Sequence, residues 1–385
     1  MAEMNDYSGP FRPDMKLEDF SKDFLLKLAK HWQWSWMQLD AAWFNQVHDR
    51  FGIAPAFECD LSMWLRCAER CNPRYARIAK IPLKNAVDCL KVLQLPLDNT
   101  MGALWPTETE IKNEHHVVIT VNRCPALEWC EREAPERIVP MCRWLEPQLI
   151  DKYKVSRDVS LVPTKLAPRS SPEEIACQWE YVTMYPEKGE ARDEEELVDW
   201  TTDAPEVDDL TGPYYPNLTH ESFSKSFLVK IMNAWQYGWL VMNEGYYFAA
   251  EERFGSEVAG ELELKAWMTM AEKVNRRYVA TASIKLGTVL DSLKLLQLPM
   301  DNALGLFPAT YEVRDPNHVV VTVAKGKTPE YLEGASPERT PPMYHAGGEP
   351  LMERYLVNSN VKIKPLRLPP RDGADTVDCC WELTM

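Results

Sequence analysis

From Leu17 to Phe51 the apolar residues Phe20, Phe24, Leu25, Leu28, Trp32, Met37, Trp43, Phe44 and Val47 recur at mixed three- and four-residue steps. That spacing predicts a helical face, or two helices in sequence. Arg50 followed by Gly52 reads as a last turn whose cation faces the negative helix end and whose glycine closes it. Shorter helical patterns follow at Leu61 to Cys71 and at Lys84 to Leu93, the latter ended by Pro96. The period then changes. His116-Val117-Val118-Ile119-Thr120-Val121 is a β-branched run of strand length, Val159 and Leu161 alternate, and Ala176 to Tyr181 predicts a closing strand. Between these strands, Leu127 to Glu133 and Met141 to Tyr153 predict helices.

The whole pattern occurs twice. A shift of 203 lays Trp32-Gln33 on Trp235-Gln236, Arg50-Phe51-Gly52 on Arg253-Phe254-Gly255, and Leu93-Gln94-Leu95-Pro96 on Leu296-Gln297-Leu298-Pro299. After one residue is dropped, a shift of 202 lays His116-Val117-Val118 on His318-Val319-Val320, and Cys177 with Trp179-Glu180 on Cys379 with Trp381-Glu382. Two copies of so long a unit are no solenoid. They predict a homodimer fused into one chain: two modules, 10–185 and 213–385, joined by a linker at 186–212. Each module is a helical bundle followed by a small, mostly antiparallel sheet with helices on it, so the fold class is α+β.

Composition adds limits. The 385 residues are 45% apolar and 26% charged, with a net charge of -15, which is ordinary for a globular protein. Eleven acids stand against Lys188 and Arg192 between Pro186 and Leu210. The stretch reads as a solvated linker, and its sign argues against a nucleic-acid partner. No secretory signal pattern and no membrane-length apolar run is seen, so the expected setting is the cytoplasm, away from membranes. The ten cysteines are then reduced thiols, core residues or metal ligands rather than a disulfide framework. No phosphate loop or nucleophile elbow is present, and no nucleotide cofactor is expected.

The second copy serves as a control for the first. Cys59, Cys67, Cys71 and Cys130 face Leu262, Met270, Val274 and Leu332 and read as small core hydrophobes. Cys124, Cys142 and Cys177 face Gly326, Tyr344 and Cys379, so none is traded for an aliphatic residue of its own size. A strand end, a helix start and a neighbouring strand can bring three thiolates together on zinc or another transition metal, with a fourth position left for water or substrate. A helix start at Cys142 would also favour its thiolate. Buried structural thiols, or a single nucleophilic cysteine, fit the same residues.

The run Arg123-Cys124-Pro125, then Cys142, then Cys177-Gln178-Trp179-Glu180 resembles the bacterial L-2-amino-thiazoline-4-carboxylic acid hydrolase-like proteins, which share a tryptophan-rich helical first part. A remoter likeness is to vinyl-4-reductase-type small-molecule-binding domains. The first resemblance implies ring opening of a small heterocycle bearing a carboxylate. The second implies ligand sensing above a structural zinc.

The expectation is therefore a metal-assisted hydrolase or lyase acting on a small carboxylate-bearing or heterocyclic molecule. Its metal ligands would be Cys124, Cys142 and Cys177 of the first module, with His116 and Glu69 moving protons and Arg74 and Trp34 holding substrate. The alternative is a non-catalytic small-molecule-binding or assembly protein with a structural metal. A third reading makes the chain a homo-oligomer or a subunit of a larger complex, with the acidic linker or an exposed aromatic face as its docking surface. His116, Glu69 and Arg74 recur as His318, Glu272 and Arg277, which also suits structural roles. Trp34, copied as Tyr237, suits core filling as well as a pocket wall.

Overall fold

The computed structural model of the protein describes residues 3–97, 107–184, 204–300, 309–324, 348–368 and 377–385. Its class is α+β, with two separate four-stranded antiparallel sheets. The first repeat runs α1 (Lys22–Phe51), α2 (Ile53–Ile78), α3 (Ala86–Leu93), β1 (Thr107–Asn113), β2 (His116–Val121), α4 (Pro125–Glu133), a π-helical turn (Pro140–Leu145), α5 (Glu146–Tyr153), β3 (Val159–Lys165) and β4 (Cys177–Thr183). The second repeats it as α6 (Lys225–Phe254), α7 (Ser256–Thr281), α8 (Val289–Leu293), β5 (Ala309–Asp315), β6 (His318–Ala324), α9 (Gly348–Leu356), β7 (Lys362–Arg367) and β8 (Val377–Thr384). The strand orders match: β1-β2-β4-β3 and β5-β6-β8-β7.

Most elements fall where the hydrophobic pattern puts them. Gly52 and Gly255 take φ of 92° and 85°, and their N–H groups close the preceding helices on His48 O (2.8 Å) and Glu251 O (2.9 Å). The positive φ is the reason for glycine at both places. Two differences stand out. Helix α2 continues through Pro73 to Ile78, well past Cys71, because Tyr75 and Ala76 extend its buried face. Strands β1 and β5 carry charged residues at most outward positions, such as Glu108, Glu110 and Lys112, so they offer no apolar run to read.

The chain divides into two compact units, residues 1–59 with 242–385 and residues 60–241. These cut across the repeat boundaries at 10–185 and 213–385, because each unit takes helices from both repeats and joins the N-terminal arm of one to the sheet of the other. The stretch 186–212 lies mostly outside the described residues.

In the first unit α1 packs along α7. Trp32 Nε1 donates to Leu298 O (2.9 Å), Gln297 Nε2 to Arg12 O (2.9 Å), Lys294 Nζ to Gly9 O (2.6 Å), and Tyr7 N to Ala282 O (3.0 Å). In the second unit the same four bonds recur 203 residues away. Trp235 Nε1 donates to Leu95 O (2.8 Å), Gln94 Nε2 to Tyr215 O (2.9 Å), Lys91 Nζ to Gly212 O (2.7 Å), and Leu210 N to Ala79 O (2.8 Å). Lys294 and Lys91 are buried, and each also pairs with an aspartate three residues back, Asp291 or Asp88. A buried ammonium stripped of such partners is costly, so these bonds fix which arm lies on which helices. In the first unit some residues also meet their own copies: Phe51 stacks on Phe254 at 3.9 Å and Trp43 on Tyr246 at 5.5 Å.

His31 of α1 is buried in the first unit, stacked on Tyr278 at 3.9 Å. Its Nε2–H donates to Val274 O (3.2 Å), while Thr281 Oγ1 donates to Nδ1 (3.4 Å), a pattern that fits the neutral ring. Burial, with a further push from Arg277, lowers its pKa to about 4.

Two outcomes follow from this organisation. Residues 1–195 and 196–385, co-expressed as separate chains, should copurify as a one-to-one complex. A cooperative monomeric melt from either half alone would contradict the exchange. For His31, a folded pKa below the unfolded value of about 6.5 means that its contribution is whole above pH 6.5 and is lost as pH falls toward 4. At about 1.4 kcal/mol per pKa unit, that is of the order of 3 kcal/mol. Chemical denaturation at pH 7, 5.5 and 4 should show a smaller acid loss in His31→Gln than in the parent.

Candidate functional site

The three candidate thiols do reach one neighbourhood in the second unit, where the end of the first sheet meets α4 and the π-helical turn. Cys124 leaves β2 and caps α4, its Sγ accepting from Leu127 N at 3.4 Å. Cys177 opens β4 opposite Val121, the last residue of β2, and its Sγ accepts from Trp179 Nε1 at 3.2 Å. Cys142 lies within the π-helical turn. Cys124 and Cys142 pack against an apolar cluster of Leu127, Cys130, Ile138, Ala167 and Ala176. Arg169 Nε and Nη2 each bond Glu131 at 2.8 Å, and its Nη1 bonds Pro172 O and Glu174 O, which pins the loop before β4 to α4.

Electrostatics run against the expected thiolate. Burial raises Cys142 far above the usual thiol range, and Glu146, Cys124 and Cys177 push in the same direction. Cys142 does not start a helix whose dipole could offset this, since helical backbone already runs from Pro135 through Ile138 and Val139 into the π-helical turn. Cys177 is pushed up to about 12, again chiefly by burial, with Trp179 opposing. Among the described residues no group of three or more His, Cys, Asp or Glu side chains is arranged to hold a metal ion. Cys124, Cys142 and Cys177 do not form such a group as placed. All ten cysteines are free. Cys59, Cys67 and Cys71 are buried in the manner of Leu262, Met270 and Val274, and Cys130 is buried as well.

The expected proton-transfer groups lie apart from the thiols. His116 begins β2, five residues before Val121, a separation of roughly 17 Å at 3.4 Å per residue. Its Nε2 pairs with Glu180 at 3.2 Å, and the second sheet repeats the pair as His318 with Glu382 at 3.0 Å. Glu69 is exposed on α2 and bridges Lys152 of α5 at 2.8 Å. A pair kept in the half that lacks Cys124 and Cys142 needs no chemistry to explain it.

Arg74 and Trp34, expected to share a substrate, sit in different units, each beside the copy of the other. The Arg74 guanidinium lies 4.8 Å from the centre of the Tyr237 ring, and that of Arg277 lies 4.0 Å from the centre of Trp34. Lys273 approaches the same indole at 5.3 Å. These contacts are the cation–π counterpart of the exchanged hydrogen bonds. Sequence reasoning passes over Lys273 and the buried pair Lys91 and Lys294. The retention of the latter within the apolar runs Val87 to Leu93 and Val289 to Leu296 was the available signal.

No helix among the described residues is long and apolar enough to cross a membrane. Comparison with protein-family models, with curated proteins and with solved structures returns no match.

At pH 7.5, iodoacetamide should label Cys142 and Cys177 of the native protein at least tenfold more slowly than a cysteine in a short peptide, and label both fully in urea. Peptide mass spectrometry reads this directly. Rapid native labelling of Cys142 would place it in an exposed, thiolate-favouring setting instead.

Proposed function

We propose that the chain is a cytosolic small-molecule-binding protein in which the thiol layer of the first repeat is structural and the second repeat is a built-in partner. The observation that carries this reading is the state of the thiols. Partial burial raises the pKa of the half-buried Cys142 and Cys177 thiols, and Cys124 and Cys177 accept hydrogen bonds from neighbouring N–H groups. A nucleophile needs the thiolate, which a partly buried site without a neighbouring cation disfavours. The candidate proton carriers are also committed elsewhere, His116 to Glu180 and Glu69 to Lys152. The likeness to vinyl-4-reductase-type domains points the same way, toward ligand sensing without turnover. Ten free thiols suit a reducing compartment.

A hydrolase or lyase, as in the L-2-amino-thiazoline-4-carboxylic acid hydrolase-like proteins, is the second reading. One observation favours it: Cys124 and Cys142 stand where the other repeat has Gly326 and Tyr344, not aliphatic residues of equal size.

L-2-amino-thiazoline-4-carboxylate separates the two. Under the binding reading it raises the thermal midpoint of the protein and is recovered intact by chromatography. Cys142→Ser should lower the midpoint by about 2–8 °C, the shift expected for about 1–2 kcal/mol in a domain of this size. Consumption of the compound, abolished by Cys142→Ser at an unchanged midpoint, would establish the second reading instead.

A further inference from the structure

We infer that Trp34, Arg277 and Lys273 of the first unit form a binding platform for a small carboxylate, built by α1 of one repeat and α7 of the other. The inference rests on the small-molecule-binding reading above and gives it a place and a ligand class.

Trp34 is half-buried, so part of its ring is reachable, while Arg277 and Lys273 are exposed. The Arg277 guanidinium lies 4.0 Å from the ring centre and the Lys273 ammonium 5.3 Å. Stacking on the ring occupies the flat face of a guanidinium and leaves its in-plane N–H groups free. That fork matches the two oxygens of a carboxylate.

Neither cation is neutralised. Lys273 donates to the amide oxygen of Gln38 at 2.6 Å, which satisfies a donor without cancelling its charge. No carboxylate pairs with Arg277 among the described residues. The nearby acid on α7, Glu272, is taken by Arg276 at 2.6 Å and Arg354 at 3.7 Å. Two uncompensated cations on one indole, in a chain whose net charge is -15, form a local field of opposite sign to the rest of the molecule. Such a field draws in a small anion.

The second unit supplies the contrast. There Arg74 lies on Tyr237 at a longer 4.8 Å, and the position of Lys273 is held by Arg70. Tyrosine is the weaker partner for a cation, so the platform on Trp34 is the stronger of the two.

The experiment is calorimetric titration of the full chain with malonate, with sodium chloride at matched ionic strength as baseline and inorganic phosphate as a second anion. The expected result is millimolar or tighter malonate binding that exceeds the chloride baseline. Arg277→Gln should weaken it at least tenfold, and Arg277→Lys, which keeps the charge but loses the fork, should weaken it nearly as much. Arg74→Gln should change it less than threefold. Both arginines are exposed or half-buried at the surface, and unchanged melting of the variants confirms that the fold is retained.

Malonate binding no stronger than chloride, or unaltered by Arg277→Gln, overturns the inference. Phosphate binding tighter than malonate overturns the carboxylate assignment. Failure of the underlying reading looks different: L-2-amino-thiazoline-4-carboxylate is then consumed, and its turnover is lost in Cys142→Ser while Arg277→Gln keeps it.

Discussion

An ammonium group that leaves water must find partners, and Lys91 and Lys294 find theirs on an arm donated by the other repeat. Each lies in an apolar helical run where nothing else could satisfy it except the aspartate one turn back. The second acceptor is a glycine carbonyl, Gly212 or Gly9. That requirement fixes the path of the arm. The arm leads into α1 or α6, and the indoles of Trp32 and Trp235 complete the arrangement by donating to Leu298 O and Leu95 O. Removing either lysine's acceptors would leave a dry charge, a penalty of several kcal/mol. The placement of the long helices thus hangs on a few polar groups in an otherwise apolar setting.

The elements themselves were legible, and their partners were not. Hydrophobic spacing marks α1, α3, the central strands and the glycine stops, since each depends on neighbours within a few residues. It loses α2 at Asn72-Pro73, where local signals favour a stop and burial of Tyr75 outweighs them. It also loses β1 and β5, whose outward positions are charged. The exchange of arms is hidden for a deeper reason. A duplicated sequence contains Leu95 and Leu298 in the same local setting, so no pattern within one chain says which of the two receives Trp32.

For the candidate site, comparison of the repeats separates packing cysteines from the rest, and the convergence of Cys124, Cys142 and Cys177 on one sheet end follows from their order along the chain. Their protonation does not follow. It depends on how much water reaches Cys142 and on helical backbone that begins well before it, at Pro135, both products of tertiary packing. His116, Glu69 and Arg74 looked equally suited to chemistry because a retained polar residue carries no mark of its partner. Only the structure shows that Glu180, Lys152 and Tyr237 are those partners.

The stacked rings of Phe51 on Phe254 and Trp43 on Tyr246 carry an implication for how such a chain changes over time. In an assembly of identical subunits, a codon change at a self-facing position alters both rings at once, so every trial is a double one. In a chain that carries both copies, the two positions change separately. Phe51 faces phenylalanine, but Trp43 faces tyrosine, a departure from sameness that two separately encoded positions permit.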